Sequence, residues 1–213
     1  MVTVDKGPLA HGFDLLAEAA RTGGSRLRFS GTTGVTAPEE LAGERVVEIR
    51  GVLNGTTNYV LDEMREKSIS FKEALAAARE AGIAEPDPSL DLEGWDTACK
   101  TLILAKAFMS AETRLEEASR VGIGAETESL IQIARASGRA VRLVGRARMW
   151  QGRVRVSVAP KLVWPDSPFF SVSGSSKLAV FRTESNRELI SRAGSSRNSI
   201  SEVIHRDIHA CLS

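Results

Sequence analysis

Residues 85–100 read Glu-Pro-Asp-Pro-Ser-Leu-Asp-Leu-Glu-Gly-Trp-Asp-Thr-Ala-Cys-Lys. Glu85 to Asp91 reads as an acidic loop containing Pro86 and Pro88. From about Gly94 to Met109 the residues read as an apolar helix, with Ala98, Leu102, Ile103 and Ala105 in its body. Asp96 and Lys100 are four apart and share one face of that helix. Thr97, Ala98 and Cys99 between them are small and leave room. An Asp–Lys pair at this spacing is ordinarily a surface ion pair, contributing roughly 0.3–0.5 kcal/mol. Two features argue for more: the helix is strongly apolar, and Glu85, Asp87, Asp91 and Asp96 gather beside one lysine. That grouping suits recognition of an ammonium group and placement of a proton donor.

Upstream, Ser70 and Glu73 form a capping box for a helix with Phe71, Leu75 and Ala78 as its stripe and Gly82 as its stop. Before it, a strand over Arg45 to Val52 runs through Gly51-Val-Leu-Asn-Gly-Thr-Thr-Asn58 into a helix carrying Val60, Leu61 and Met64. Leu27 to Phe29 reads as a strand, and Gly31 to Thr36 as a loop. The chain opens with a strand over Met1 to Val4 and a turn over Asp5 to Pro8. A helix over Phe13 to Arg21 follows, with Leu15, Leu16, Ala19 and Ala20 as its apolar stripe. One such strand–helix unit cannot bury its own faces, so it is expected to belong to a larger sheet.

Downstream, a short helix over Glu128 to Ala136 closes at Gly138. Val141 to Met149 and Arg153 to Val158 read as a hairpin turning at Gln151-Gly152. Val154, Val156 and Val158 alternate with Arg153, Arg155 and Ser157, which predicts one solvated sheet face. Lys177 to Arg182 is a further strand, and a final helix spans Ile200 to Leu212 after the Ser/Arg-rich residues 192–199.

The chain has a net charge of +1, with acids and bases interspersed, so neither a nucleic-acid face nor a membrane anchor is expected. Its apolar runs are too short to span a bilayer. Cys99 and Cys211 fit no metal spacing, and a reduced, cytoplasmic setting is expected. His205 and His209 lie four apart on the last helix, but Arg206 stands where a zinc protease needs Glu, so no metal site is expected.

Residues 85–100 resemble the signature of homoserine dehydrogenases, as does Gly51-Val-Leu-Asn-Gly-Thr-Thr-Asn-Tyr-Val-Leu61. Val2-Thr-Val-Asp-Lys-Gly-Pro-Leu9 is a shorter match, and Pro168 to Thr183 resembles a late strand of the family. The resemblance implies an α+β fold: a mixed β-sheet covered by helices, with a Rossmann remnant at the N-terminus. It implies a remnant of the nucleotide-binding domain over 1–30 and a catalytic and dimerisation domain over 31–185. Residues 186–213 would form a C-terminal segment returning toward the nucleotide side. The implied reaction is the reversible, NAD(P)H-dependent reduction of aspartate 4-semialdehyde to homoserine, in threonine, methionine and isoleucine biosynthesis, by a homodimer.

Residue roles follow from the same resemblance. Lys100 donates the proton, Asp96 orients it, and Glu85 contacts the substrate amino group with support from Asp91. Gly55 and Thr56 help hold the substrate. Lys6 lies between substrate and nicotinamide and is the second candidate for proton transfer, while Gly194 lies on the cofactor side. An ammonium beside a forming alkoxide stabilises its charge, and a helix N-terminus offers free N–H groups to a carboxylate.

The chain also departs from the family. It has no G-x-G-x-x-G, so most of the dinucleotide site is expected to be missing, and this chain alone is expected to bind NAD(P)H weakly or not at all. Asp5 replaces the usual Asn, and Ser30 replaces the glutamate of a cation-binding loop. The late glycine-rich turn is reduced to Arg192-Ala-Gly-Ser-Ser196. These departures motivate a rival reading, a non-catalytic remnant that binds an amino acid or serves as a dimerisation module.

Overall fold

The computed structural model describes residues 1–174, 176–193 and 197–212. Its strands are β1 (Val46–Val52), β2 (Ser119–Arg120), β3 (Ala140–Trp150), β4 (Arg153–Val163), β5 (Lys177–Thr183) and β6 (Glu188–Ala193). Its helices are α1 (Lys6–Thr22), α2 (Ser30–Thr33), α3 (Gly55–Lys67), α4 (Phe71–Glu80), α5 (Ser89–Leu92), α6 (Trp95–Met109), α7 (Thr127–Ala136) and α8 (Arg197–Leu212). The six strands form one sheet in the order β2-β4-β3-β1-β5-β6. Every pairing is antiparallel except the short β2–β4 pair, so the sheet is mixed, as expected.

The two faces of the sheet differ sharply. Ile49, Ala147, Val156 and Phe181 point toward α6 and pack with Leu102, Leu104 and Ala105. Toward the other end of the same face, Leu143 and Val158 pack with Val60, Leu61 and Met64 of α3 and Ile131 of α7. On the opposite face, Val52, Leu178 and Val180 are covered by Phe169 and Val172, from the segment between β4 and β5. Beyond that cover the face is charged: Glu48 is 4% exposed and is ion-paired to Arg50, Arg146 and Arg182.

The sequence reading of the N-terminus needs correction. Only Val2 and Arg28 pair, as one parallel bridge, so no continuous strands form over Met1 to Val4 or Leu27 to Phe29. The helix starts at Lys6 rather than Phe13, with Asp5 as its N-cap, accepting from Gly7 N–H at 3.0 Å. The earlier start and the kink at Gly12 re-phase the helix. Leu9, Ala10 and Phe13 are therefore buried against Cys99 and Ile103, while Leu15 is 79% exposed. Residues Ser30–Thr33 make a helical turn, ended by Gly34 at φ 72°, where a loop was expected. Strand β6 was not anticipated; it pairs with β5 through a turn at Asn186, at φ 63°. The terminal helix docks through Asp207, which accepts from Ser30 N and Oγ at 2.8 and 2.9 Å.

The seat of α6 on the sheet depends on close approach at Gly145. A Cβ there would lie 2.0 Å from Thr101 Oγ1 and 3.0 Å from Thr97 Cγ2. Threonine is stiff at χ1, and Thr101 is held by a 2.7 Å bond to Thr97 O, so neither yields easily. Gly145→Ala is expected to cost about 1–3 kcal/mol by overpacking. Urea unfolding of the variant measures it, and a loss below ~0.5 kcal/mol would contradict this seating of the helix.

Candidate active site

Strand β1 delivers the chain into Leu53-Asn54 and then into α3, which makes Asn54 the N-cap. Its Oδ1 accepts from Thr57 N at 2.9 Å, the ordinary capping bond. Its Nδ2 donates to Asp91 Oδ1 at 2.7 Å and to Asp96 Oδ2 at 2.9 Å. Thr56 Oγ1 donates to the other oxygen of Asp91, Oδ2, at 2.7 Å. One turn of α3 thus ties α5, which carries Asp91, to α6, which carries Asp96.

Asp96 is 7% exposed and takes an ammonium on each oxygen. Lys100 donates to Oδ2 at 2.6 Å and to Leu53 O at 3.0 Å. Lys6, at the start of α1, donates to Oδ1 at 2.5 Å. Burial alone would push the Asp96 carboxyl upward. The charge and hydrogen bond of Lys100, with those of Lys6, outweigh it and hold the group well below the usual carboxylate range. At Lys6, burial pulls the ammonium down, but its hydrogen bond to Asp96 and that carboxylate's charge leave it raised. Burial pushes the neighbouring Cys99 thiol up, so it is not poised as a nucleophile.

Lys6, Asp91, Asp96, Trp95 and Glu85 line a cleft of about 410 Å³. The structure therefore brings together Lys6, Asp91, Asp96, Lys100 and Thr56, with Gly55 as the first residue of α3. Lys100 is 8% exposed and stands behind Asp96, so the ammonium that faces the cleft belongs to Lys6. Glu85 reaches the cleft wall but is exposed and joins none of these bonds. Gly194 lies outside the described residues. The Asp96–Lys100 pair is a buried element of the core edge, not the surface ion pair its spacing alone suggests.

Sequence reasoning missed Asn54 as the hub of the site. An Asn between strand and helix signals a cap, and nothing in its spacing shows that the same amide reaches two distant carboxylates. It also missed Lys177, at the start of β5, which is mostly buried beside the same charges. A larger groove of about 850 Å³ follows the β3–β4 hairpin and is lined by Arg146, Arg148, Arg153 and Arg155. It contains none of the interlocked carboxylates, so the candidate chemistry belongs to the smaller cleft. Among the described residues, no three His, Cys, Asp or Glu side chains group as a metal site.

Comparison with known proteins places this geometry in context. The family model described as homoserine dehydrogenase matches residues 35–208. The homoserine dehydrogenase of Methanocaldococcus jannaschii is 37% identical over 196 residues, covering 89% of this chain and 57% of that protein. A homoserine dehydrogenase structure from Thiobacillus denitrificans superposes with a TM-score of 0.86 at 27% identity, over 96% of this chain and 49% of that one. A hyperthermophilic archaeal homoserine dehydrogenase in complex with NADPH superposes with a TM-score of 0.80 at 28% identity, over 99% of this chain and 63% of that one. The chain spans about half the length of the curated relatives it matches.

Removing the shared carboxylate leaves the buried Lys100 ammonium unpaired, with the half-exposed Lys6 ammonium beside it. Asp96→Asn is expected to cost about 3–5 kcal/mol at pH 7. The folded pKa is depressed, so the stability Asp96 provides is complete above the unfolded value of about 3.9 and is lost as pH falls toward the folded one. Denaturant unfolding at pH 7 and pH 3 is expected to show the difference between wild type and variant shrinking at the lower pH. A difference that does not change between the two would contradict the pairing.

Proposed function

The chain belongs to the homoserine dehydrogenase family, and from that premise we propose that it carries the substrate-binding and proton-transfer part of an oxidoreductase. The reaction is the interconversion of aspartate 4-semialdehyde and homoserine with NAD(P)H. The observation that carries the reading is the Asp96 carboxylate, bonded at once to Lys6, Lys100 and Asn54 beside an acidic cleft.

The roles follow from chemistry at named atoms. Reduction of an aldehyde creates an alkoxide that must receive a proton. Lys100 holds that proton on Nζ, and Asp96 orients the ammonium. Lys6 adds a second positive charge on the cleft side of the same carboxylate. Asp91, fixed by Asn54 and Thr56, and Glu85 on the rim supply negative charge for the substrate's ammonium group. Gly55 and Thr56 begin α3, whose free N–H groups suit an anionic group.

The fit to a dinucleotide is partial. Lys6 stands at the cleft edge, where a nicotinamide ring would meet the substrate and supply the hydride. The phosphates find no cradle among the described residues, which offer one parallel bridge, Val2 with Arg28, in place of a phosphate-binding sheet. The roles given above accordingly belong to the substrate side alone.

Three wider statements complete the reading. The reaction serves the biosynthesis of threonine, methionine and isoleucine. The setting is cytoplasmic, a reading supported by two free cysteines; among the described residues no helix is long and apolar enough to cross a membrane. The protein is a homodimer, supported by a sheet face that leaves Trp150 46% and Ile190 44% exposed among charged side chains.

Lys100→Met is expected to lower turnover of aspartate 4-semialdehyde by about 10²–10⁴-fold, the usual contribution of a positioned proton donor. Loss of NADPH absorbance in the full-length protein measures it. Lys6→Met is expected to lower turnover as well, because its ammonium is the one that faces the cleft. Homoserine binding without turnover by the unaltered protein would leave the amino-acid-binding remnant as the better account.

A further inference from the structure

We propose that Lys177 is a specificity residue that holds the carboxylate of the amino-acid substrate, an assignment that rests on the substrate class proposed above. Three observations place it there. Lys177 opens β5, and the preceding carbonyl, Ser176 O, accepts from Asn58 Nδ2 at 3.1 Å. The start of β5 is thereby tied to the first turn of α3, the turn that carries Gly55 and Thr56. The Lys177 side chain lies across Gly34, where a Cβ would fall 2.7 Å from Nζ and 2.8 Å from Cδ. Gly34 ends α2 at φ 72°, so the space the ammonium occupies exists because this position carries no side chain. The charges of Lys100, Asp96 and Lys6 also act on this ammonium, so it lies within electrostatic reach of the same cluster.

The charge balance then asks for an anion. Lys6 and Lys100 each bond Asp96. Among the described residues, no Asp or Glu side chain pairs with Lys177. Among the described residues, Lys177 is thus the one of these three ammonium groups with no carboxylate bonded to it. Burial first, and then the positive charge of Lys100, lower the Lys177 ammonium to about 8. A buried cation without a partner is costly, and an incoming anion removes that cost.

The ligand that fits carries both charges. Asp91 and Glu85 present negative charge to an ammonium, while Lys177 and the start of α3 present positive charge to a carboxylate. An α-amino acid bears both groups on one carbon. The cofactor's phosphates are the other source of anionic oxygen, but they need a run of backbone N–H groups that the surroundings of Lys177 do not supply.

The test is calorimetric titration of the full-length protein and of Lys177→Met with L-homoserine, with 3-amino-1-propanol, which lacks the carboxylate, and with NADPH. Lys177→Met is expected to bind homoserine at least ~10-fold more weakly, the usual loss when one partner of a buried charge pair is removed. Its affinity for 3-amino-1-propanol is expected to stay within about twofold, and Lys177→Arg is expected to recover part of the homoserine affinity. Unchanged homoserine affinity in Lys177→Met overturns the proposal. So does equal weakening of both amines, which marks a structural role, or a loss confined to NADPH, which assigns the lysine to phosphate. If the unaltered protein binds 3-amino-1-propanol but not homoserine, the carboxylate subsite is wrong while an amine site stands. Binding of neither amine overturns the substrate assignment itself, and this proposal with it.

Discussion

One buried carboxylate organises this site. Asp96 accepts from Lys6 on one oxygen and from Lys100 and Asn54 on the other. Those partners come from α1, α6 and the cap of α3, so a single side chain links three elements far apart in sequence. The arrangement is stable only as a set. A desolvated carboxylate without cations, or desolvated cations without the carboxylate, each carries a penalty that the complete set offsets. The same bonds aim both lysines at one carboxylate.

The sheet supplies the rigidity that this charge network needs. Helix α6 lies against β1, β3 and β4, and glycine at 145 lets it approach closely. Leu102 and Ala105 pack against the sheet, and Ile103 packs against α1. The acid–base pair therefore projects from a helix that cannot rotate without opening the core. Asn54 fixes the second boundary, because its cap bond and its two carboxylate bonds all depend on where β1 ends. Displacing β1 by one residue would remove the cap and free both Asp91 and Asp96.

Charge is distributed with the same economy elsewhere. On the far face of the sheet, Glu48 is nearly buried yet surrounded by Arg50, Arg146 and Arg182. On the near side, Glu85 and Asp87 line the cleft rim while Asp96 and Lys100 sit deeper. A ligand with separated charges meets a field that already points the right way, so little reorganisation accompanies binding.

How much of this the sequence determined can be judged residue by residue. The 3.6 and 2.0 periodicities located α3, α4, α6, α7 and the β3–β4 hairpin, and Ser70 with Glu73 marked a true capping box. The spacing of Asp96 and Lys100 made their contact a local consequence of helix geometry. What local pattern did not decide was depth and company. Whether that pair was a surface bridge or a buried one depended on α1 and β1 closing over it. The start of α1, the exposure of Leu15 and the existence of β6 likewise followed from packing against distant segments. Asn54 and Lys177 join the cluster across tens of residues, where no short-range spacing applies. Local structure is set by interactions within a few residues, which sequence displays directly. A buried charge cluster is set by which groups desolvate together, and only the folded chain decides that.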